Sequence, residues 1–238
     1  MRTGSILRLS VIIPTLNEEE CIGQVIDDVS FSLRDKGFDY EIMVVDGRST
    51  DRTRDIAREM GAVVVEEPRK GYGRAYKTGF EKAQGEVIAT LDGDCTYPTE
   101  SIVPLMEMLD KDDLEFITTD RFGHMEEGAM SNMHKIGNLA LSFTTRLLFG
   151  RIIRDSQSGM WVFRREALKK INVEADGMPF SEEIKIEAFR KLRSREVMIV
   201  YRRRVGEVKL SSWKDGWNNF KFLWTKRFLG PRDRSLRS

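Results

Sequence analysis

The sequence predicts an α/β fold with a mostly parallel sheet that is flanked by helices. Three observations predict it: short apolar runs alternate with longer stretches of helical periodicity, turn residues separate the two, and no internal repeat interrupts the alternation. The chain has 238 residues, of which 40% are hydrophobic and 32% are charged. These values are typical of a folded globular protein and exclude a disordered tail, a collagenous repeat and a disulfide-rich scaffold.

Strands and helices alternate in the order βαβαβαβ through the first half of the chain. Strands are predicted at residues 9–14, 41–46, 62–66 and 86–92. Helices are predicted between them at residues 18–34, 51–60 and 73–84, and Asp51 can cap the second helix. Alternation of this kind produces right-handed crossovers, and the ligands of such a sheet bind outside the carboxyl ends of its strands.

The pattern is less regular after about residue 113. We expect strands at 115–119 and 159–164, a long helix within 129–149, and helices near Arg165 and Ser181. A last helix, at 211–229, carries aromatic residues within an arc of about 80° at 3.6 residues per turn. These residues are Trp213, Trp217, Phe220, Trp224 and Phe228.

Charge is distributed unevenly along the chain. From Tyr201 onward there are 11 Lys and Arg residues and 3 acidic ones, a net charge of +8, against −7 in the residues before it. A basic tail of this kind predicts an anionic partner, either a membrane surface or a nucleic acid. Tryptophan and lysine together favour a bilayer interface. The alternative is a helix whose aromatic face packs on the protein's own core.

The cysteines and the lengths of the apolar runs indicate a protein of the cytoplasm. Cys21 and Cys95 are far apart and lack the spacing of metal ligands, so we expect neither a zinc site nor a disulfide framework. No apolar stretch reaches about 18 residues, so neither a signal peptide nor a spanning helix is expected. Together with the basic tail, this predicts peripheral association with the cytoplasmic face of a membrane.

Two carboxylates, Asp92 and Asp94, follow the fourth predicted strand. Side chains two residues apart at a strand end can bind one hard cation, so Mg²⁺ or Mn²⁺ bridging a diphosphate is the expected ligand. The alternative is an ordinary loop with two capping or solvated acids, because Asp and Gly are common turn residues.

Two further segments are candidates for binding a nucleotide. Asp46 ends the second strand and could accept hydrogen bonds from a base or ribose, or belong to a simple helix cap. The loop that begins at Lys70 is cationic and glycine-rich and could bind phosphate, although it matches neither a P-loop nor the GxGxxG pattern, and a plain turn is the alternative. With His124 and His134 as the only histidines, no Ser-His-Asp triad can be argued.

Six short segments, spread over roughly residues 9–165, carry a resemblance to a known family. They are Pro14-Thr15-Leu16-Asn17-Glu18, Val44-Val45-Asp46, Asp51-Arg52-Thr53, Gly71-Tyr72-Gly73, Asp92-Gly93-Asp94 with Pro98, and Asp155-Ser156-Gln157-Ser158-Gly159. In this order they resemble the inverting glycosyltransferase family 2. Within it, the chain is most similar to the polyprenyl-phosphate sugar transferases, such as the dolichyl-phosphate mannose and glucose synthases, whose Gly-x-Ser-Lys-Leu segment residues 206–211 resemble.

The resemblance implies a Rossmann-like GT-A fold that binds a nucleotide sugar and a divalent metal, Mg²⁺ or Mn²⁺. It implies a nucleoside pocket lined by Pro14, Asn17, Glu18 and Asp46. It also implies that Asp92 faces the ribose or the sugar, that Asp94 with Asp92 binds the metal, and that Asp155 organises the catalytic site. The synthases often have Gln two residues after the second Asp, where this chain has Thr96.

Basic residues are needed to bind an acceptor phosphate, because it must approach a donor diphosphate that is itself anionic. The candidates are Arg121, His134, Lys135 and the run from Arg202 to Arg204. Arg121, expected just beyond the strand at 115–119, also matches an arginine of the synthases. A phosphate oxygen is ionised near neutral pH, so this reaction needs no strong general base.

The predicted function is therefore transfer of a hexose or N-acetylhexosamine from a GDP- or UDP-sugar to dolichyl or another polyprenyl phosphate. Residues 1–210 are expected to form the GT-A domain. Its nucleotide-sugar half reaches about residue 120 and its acceptor half covers 121–210. The basic aromatic tail, 211–238, follows as an amphipathic interface helix on a membrane surface, and no nucleic acid partner is expected.

Two alternatives remain open. Transfer to a sugar hydroxyl would require a carboxylate base, for which Asp155, Glu182 and Glu183 are the candidates. A non-catalytic nucleotide- or nucleic-acid-binding module would use the aromatic tail to stack bases, but it leaves Asp92 and Asp94 without a role.

Overall fold

Seven strands and seven α-helices occupy residues 8–205 and 212–229, the part of the chain that the computed structural model describes, with only the backbone described at 212–215. The strands are β1 (Leu9–Thr15), β2 (Tyr40–Asp46), β3 (Val63–Glu66), β4 (Val87–Thr90), β5 (Phe116–Met125), β6 (Trp161–Arg164) and β7 (Ser194–Tyr201). The helices are α1 (Ile22–Leu33), α2 (Thr53–Glu59), α3 (Tyr72–Lys82), α4 (Ile102–Lys111), α5 (Asn132–Phe149), α6 (Phe180–Lys191) and α7 (Ser212–Phe228). The predicted domain boundary at residue 210 and the motif at 206–211 lie outside the described residues.

The strands form one mostly parallel sheet, as predicted. Its strand order is β3-β2-β1-β4-β6-β5-β7. β6 runs antiparallel to its neighbours β4 and β5, and the other pairs are parallel. In the pairing of β1 with β2, Thr15 lies opposite Asp46, so these two strands end side by side at one edge of the sheet.

Apolar side chains cover both faces of the sheet, and helices pack on each face, so its central strands are buried on both sides. Along β1, Val11 and Ile13 face the layer that contains α1 and α4, whereas Ile12 faces the layer of α3 and α6 that includes Phe180. Gly79 allows α3 to approach the sheet closely, since a Cβ there would lie 2.7 Å from Ile12 Cγ2. The sheet is therefore a rigid support for the loops at its edge.

The sequence patterns do not predict α4 and β7. α4 carries Pro104 in its first turn, where proline is tolerated because that N–H needs no helical partner, although proline otherwise signals a helix break. Among the described strands β7 pairs only with β5, and it mixes the exposed Arg195, Met198 and Val200 with the buried Ile199 and Tyr201, as edge strands do. The helix expected near Arg165 is a 3₁₀ helix, Arg165–Lys169.

β5 runs to Met125 instead of ending at residue 119. Arg121 therefore lies within a strand and not just beyond one, which corrects its predicted place. The strand is longer because β7 pairs with it along most of its length. The additional residues carry Arg121 into the interior, between β7 and the loop that precedes β6.

α7 packs on α5 and α6 through few residues. Leu223 is fully buried against Leu141 of α5 and Ile186 of α6. Its aromatic residues point the other way, and Trp217 is 66% exposed. Core packing of this aromatic face, the alternative raised from the sequence, is therefore wrong. The side chain of Trp213 lies outside those described.

Candidate functional site

The loops that follow β1 and β2 are joined by hydrogen bonds at one edge of the sheet. Asn17 Oδ1 accepts from Thr50 N at 2.7 Å, and Asn17 N donates to Ser49 Oγ at 2.8 Å. Glu18 N donates to Thr53 Oγ1 at 2.7 Å. Asn17 has a φ of 55°, a left-handed conformation that asparagine tolerates. These contacts hold both strand ends in fixed relative positions.

Asp46 lines a cavity of about 370 Å³ at this edge. Its Oδ2 accepts from the backbone N–H groups of Arg48 and Ser49, both at 3.0 Å, and lies 3.8 Å from Arg54 Nε. Its Oδ1 is buried and has no hydrogen-bonding partner among the described residues. The cavity is lined by Asp46, Arg48, Ser49, Thr50, Arg54, Glu66, Glu67 and Pro68. A buried acceptor of this kind is expected to meet a ligand donor. Pro14, the penultimate residue of β1, lies opposite Val45, next to Asp46.

The far wall of this cavity is charged. Glu67 is buried and accepts from Arg69 Nε and Nη2, each at 2.7 Å, and from the Thr78 hydroxyl. The hydrogen bonds from Arg69 hold the pKa of Glu67 far below its ordinary range. Lys70 follows Pro68 and Arg69 and is exposed. Both basic residues of this loop are exposed to solvent, and Arg69 differs from Lys70 in that it pairs with the buried Glu67.

Asp92 and Asp94 lie in the loop that follows β4, after Leu91. The side chain of Asp94 is 2% exposed. Its Oδ1 accepts from Thr96 N at 3.2 Å and from Thr96 Oγ1 at 2.6 Å. Its Oδ2 makes no hydrogen bond within the described residues but lies 2.5 Å from Arg204 Nη2. Thr96 therefore orients Asp94.

Asp92 lies against two tyrosines and a glycine. Its Oδ1 accepts from the hydroxyls of Tyr72 and Tyr76 at 3.4 and 3.5 Å. A Cβ on Gly159 would lie 3.1 Å from the same oxygen, so glycine leaves room for the carboxylate. Burial, followed by the charge of Asp94, raises the pKa of Asp92 to about 7. This acid is therefore easily neutralised, and a nearby cation would favour its charged form.

Arg121 and Asp155 form a buried ion pair. Arg121 Nε and Nη2 donate to the two carboxylate oxygens at 2.6 and 2.9 Å, and its backbone N–H donates at 3.2 Å. Burial favours the neutral acid, but the charge of Arg121 holds the pKa of Asp155 below its ordinary value. The Arg121 guanidinium also lies 5.2 Å from the centre of the Tyr201 ring. Asp155 is thus an orienting partner of Arg121, and it remains ionised.

The other predicted acceptor-phosphate residues lie apart from this pair in the fold. Arg202 forms an ion pair with Glu100 and lines a separate cavity of about 630 Å³ that also includes residues of α1 and α4. His134 and Lys135 lie in the first turn of α5, and Lys135 is exposed. The structure places Arg204, the last of the three arginines predicted as candidates for the acceptor phosphate, beside the aspartates. Its signal in the sequence is the run of three arginines that it ends.

The two other candidate bases are engaged in the interior. Glu182 is fully buried, and its Oε1 accepts from Gln157 Nε2 at 2.6 Å. Burial raises the pKa of Glu182 to about 8. Glu183 accepts from the backbone N–H groups of Glu174 and Ala175 at 2.9 and 2.7 Å and from Lys226 Nζ at 2.9 Å. These contacts hold Glu183 as a structural group, whereas Glu182 Oε2 is buried with no hydrogen bond within the described residues.

α5 and α7 together present an exposed apolar surface, called here the α5–α7 face. Its side chains are between 36% and 71% exposed and consist of Met133, Ile136, Leu139, Phe143, Leu147, Trp217, Phe220, Trp224 and Phe228. The aromatic rings of α7 form a ladder with centroid distances of 5.9, 6.2 and 5.2 Å. An apolar surface of this extent marks an interaction site. In the described ranges, no helix is long and apolar enough to span a bilayer.

The aspartate pair fits a divalent cation that is also bound by a substrate. Within the described chain, no three His, Cys, Asp or Glu side chains are grouped as a metal site. Mg²⁺ is, however, usually held by one or two carboxylates together with substrate phosphates and water. Asp94 Oδ2, which is buried and paired with the Arg204 guanidinium, is the oxygen that Thr96 leaves for a cation, and Asp92 can supply a second carboxylate.

The family model for Glycosyl transferase family 2 matches residues 10–172. The chain is 40% identical over 218 residues to the low-salt glycan biosynthesis hexosyltransferase Agl6 of Haloferax volcanii, covering 90% of this chain but 52% of that protein. It is 35% identical over 210 residues to a dolichyl-phosphate hexose transferase of the same organism, covering 87% and 89%. The chain thus spans about half the length of the first relative.

A solved structure shows the same fold. Glucosyl-3-phosphoglycerate synthase of Mycobacterium tuberculosis, in complex with Mn²⁺, UDP and glucosyl-3-phosphoglycerate, matches with a TM-score of 0.75. The match covers 98% of this chain and 83% of that one at 23% identity. The predicted GT-A architecture is therefore confirmed.

Proposed function

The chain belongs to glycosyl transferase family 2, and from this premise we propose that it transfers a hexose or N-acetylhexosamine from a nucleoside diphosphate sugar to a polyprenyl phosphate. In this reaction an oxygen of the lipid phosphate attacks the anomeric carbon. The bond from that carbon to the diphosphate breaks as the new bond forms, so the configuration inverts. The product is a sugar phosphate lipid, and the leaving group is a nucleoside diphosphate.

One observation carries this proposal. At a single edge of the sheet, Asp46 lines a cavity with an unpartnered acceptor, and Asp92 and Asp94 follow a strand two positions away. A nucleoside in the cavity would direct its diphosphate along this edge toward the aspartates. Bound Mg²⁺ or Mn²⁺ would neutralise charge on the leaving diphosphate, with Asp94 and Asp92 as its protein ligands.

The engagement of the three candidate bases supports a phosphate acceptor over a hydroxyl acceptor. Asp155 is bound by Arg121, and Glu182 and Glu183 are held in the interior. A hydroxyl acceptor would need one of them to take a proton, whereas a phosphate is already ionised. The name of the dolichyl-phosphate hexose transferase relative agrees with this choice.

The hydrogen bonds of Asp46 support uracil as the donor base. Oδ2 already accepts two N–H groups, so the carboxylate offers one acceptor, Oδ1. Uracil presents one donor, N3–H, between two carbonyl oxygens. Arg54 lines the same cavity and could donate a hydrogen bond to one of these oxygens. Guanine presents two adjacent donors, N1–H and its amino group, and would need two acceptors side by side. A UDP-sugar therefore matches this pocket better than a GDP-sugar.

The α5–α7 face supports a location at a membrane surface. Its aromatic ladder suits the depth of the lipid headgroups, and Lys221 and Arg227 on the same helix are exposed to anionic lipid. Each such basic residue contributes about 1 kcal/mol to binding an anionic surface. A lipid acceptor is presented at such a surface, so the same face would bring the site to its substrate.

The proposal is tested by transfer into lipid. Purified protein, Mn²⁺ and labelled UDP- or GDP-sugars are incubated with dolichyl phosphate in liposomes, and label is counted in the organic phase. We expect transfer from a UDP-sugar and none with Asp94→Asn. Asp46→Asn should weaken UDP binding about tenfold, the effect of one lost charge-assisted hydrogen bond. Absence of transfer from every common donor by folded protein would refute the proposal.

A further inference from the structure

A side chain of the protein itself balances the charge of Asp94. Arg204 Nη2 lies 2.5 Å from the buried Oδ2, and the side chain of Arg204 is 25% exposed while that of Asp94 is 2% exposed. The guanidinium therefore covers this oxygen from the solvent side. Oδ1 is already bound by Thr96, so Oδ2 is the oxygen that remains for any other cation.

The backbone around Arg204 is held in place independently of this ion pair. Val205 N donates to Asp94 O at 3.2 Å, and Arg202 N donates to Thr96 O at 3.0 Å. Cys21 Sγ donates to Val205 O at 3.0 Å. The Cα of Arg204 thus stays next to the aspartate loop whichever partner its side chain has. The side chain is long enough to turn from a carboxylate to a neighbouring anion.

A divalent cation and a guanidinium cannot both contact Oδ2, because like charges a few ångströms apart repel strongly where water is excluded. Metal that binds alone must displace Arg204 and leave it near a second cation. Metal that arrives with a diphosphate brings new acceptor oxygens for the guanidinium, and such charge-assisted hydrogen bonds are strong. The ion pair therefore opposes the first event and not the second.

We propose that Arg204 is an exchangeable counter-ion, which pairs with Asp94 while the donor is absent and moves to the donor diphosphate when metal and nucleotide bind together. This inference rests on the proposed function, since it requires a metal-bound diphosphate at Asp94. It makes Arg204 a residue that couples the two ligands. By linkage, metal and nucleotide must then strengthen each other's binding by the same factor.

The experiment measures Mn²⁺ binding by electron paramagnetic resonance, with and without UDP and with no sugar or lipid present. Wild type is compared with Arg204→Gln, with the charge-conserving Arg204→Lys, and with Arg203→Gln, which removes the exposed neighbouring arginine. In the absence of UDP, we expect Arg204→Gln to bind Mn²⁺ about tenfold more tightly than wild type. We also expect UDP to increase the Mn²⁺ affinity of this variant by a factor about tenfold smaller than in wild type. Arg204→Lys and Arg203→Gln should resemble wild type.

The outcomes separate this inference from the function on which it rests. If Arg204→Gln binds free Mn²⁺ no more tightly while every protein still binds Mn²⁺ with UDP, the exchange is refuted and the proposed function stands. If no protein binds Mn²⁺ even with UDP, both are refuted. Circular dichroism and melting temperature establish that each variant is folded. If Arg204→Gln is not folded, Arg204→Met, which keeps the apolar part of the side chain and removes the charge, replaces it with the same expected result.

Discussion

Replacing Asp155 with Asn would leave the guanidinium of Arg121 buried without its counter-charge. Asp155 is fully buried, Arg121 is 7% exposed, and three N–H groups of Arg121 donate to the carboxylate. Removing one partner of such a pair costs about 3–5 kcal/mol. At about 2–4 °C per kcal/mol for a chain of this size, the melting temperature should fall by about 6–20 °C.

Urea denaturation at pH 7.5 measures this loss. The matched control is Asp112→Asn, which removes an ion pair with Arg195 whose side chains are 31% and 45% exposed. Exposed pairs of this kind contribute about 0–1 kcal/mol. If the free energy of unfolding of Asp155→Asn is within 1 kcal/mol of the wild-type value, the loss is no larger than that of a surface pair, and the reasoning about burial is refuted.

The pH dependence of the same pair has a definite sign. Burial favours the neutral acid, but Arg121 holds the pKa of Asp155 below its ordinary value of 3.8 in the folded protein. The unfolded chain therefore takes up this proton at higher pH than the folded one. The stabilisation is complete above the ordinary value and is lost as pH falls through the folded one. The stability of Asp155→Asn should therefore fall less steeply than that of wild type as the pH is lowered through this range. The same dependence of stability on pH in both proteins would contradict the assignment.

Three further predictions concern the interior, the aspartate site and the membrane surface. Burial raises the pKa of Glu182 to about 8, so the folded state holds this proton and loses stability as pH rises from the ordinary value of 4.5 toward 8. Glu182→Gln should therefore gain stability relative to wild type between pH 5 and pH 8 in urea titrations and keep its transfer activity; a steep loss of rate with normal donor binding would instead identify a base. Gly159→Ala would place a Cβ 2.5 Å from the Tyr72 hydroxyl, so we expect transfer to fall at least about tenfold, as a shift of the reacting groups by a fraction of an ångström can cause; unchanged kcat would show that the loop gives way. Trp217→Ser should weaken sedimentation with anionic liposomes about tenfold, the effect of one buried aromatic side chain, whereas Phe31→Ser, equally exposed but on α1, should not. Equal loss in both, or preferential binding of oligonucleotides over liposomes, would argue against the α5–α7 face.

Local patterns are sufficient to predict that Asp46, Asp92 and Asp94 lie at one edge of the sheet. Asp46 ends an apolar strand, Asp92 and Asp94 follow another, and parallel strands joined by right-handed crossovers bring their carboxyl ends to one edge. The same reasoning fails for β7, because an edge strand is only partly buried and its alternation is weak. It also ends β5 too early, since the pairing that extends β5 comes from a strand about 75 residues later.

The sequence by itself determined the class of fold and the edge of the sheet at which Asp46, Asp92 and Asp94 gather. Only the tertiary structure decided which basic residue pairs with which acid. Arg204 forms an ion pair with Asp94, Arg121 with Asp155, and Arg202 with Glu100. The physical reason is that strand and helix patterns record the burial of each residue along its own element. An ion pair between distant segments depends on the packing of every element between them, and basic residues in a run are indistinguishable until that packing exists.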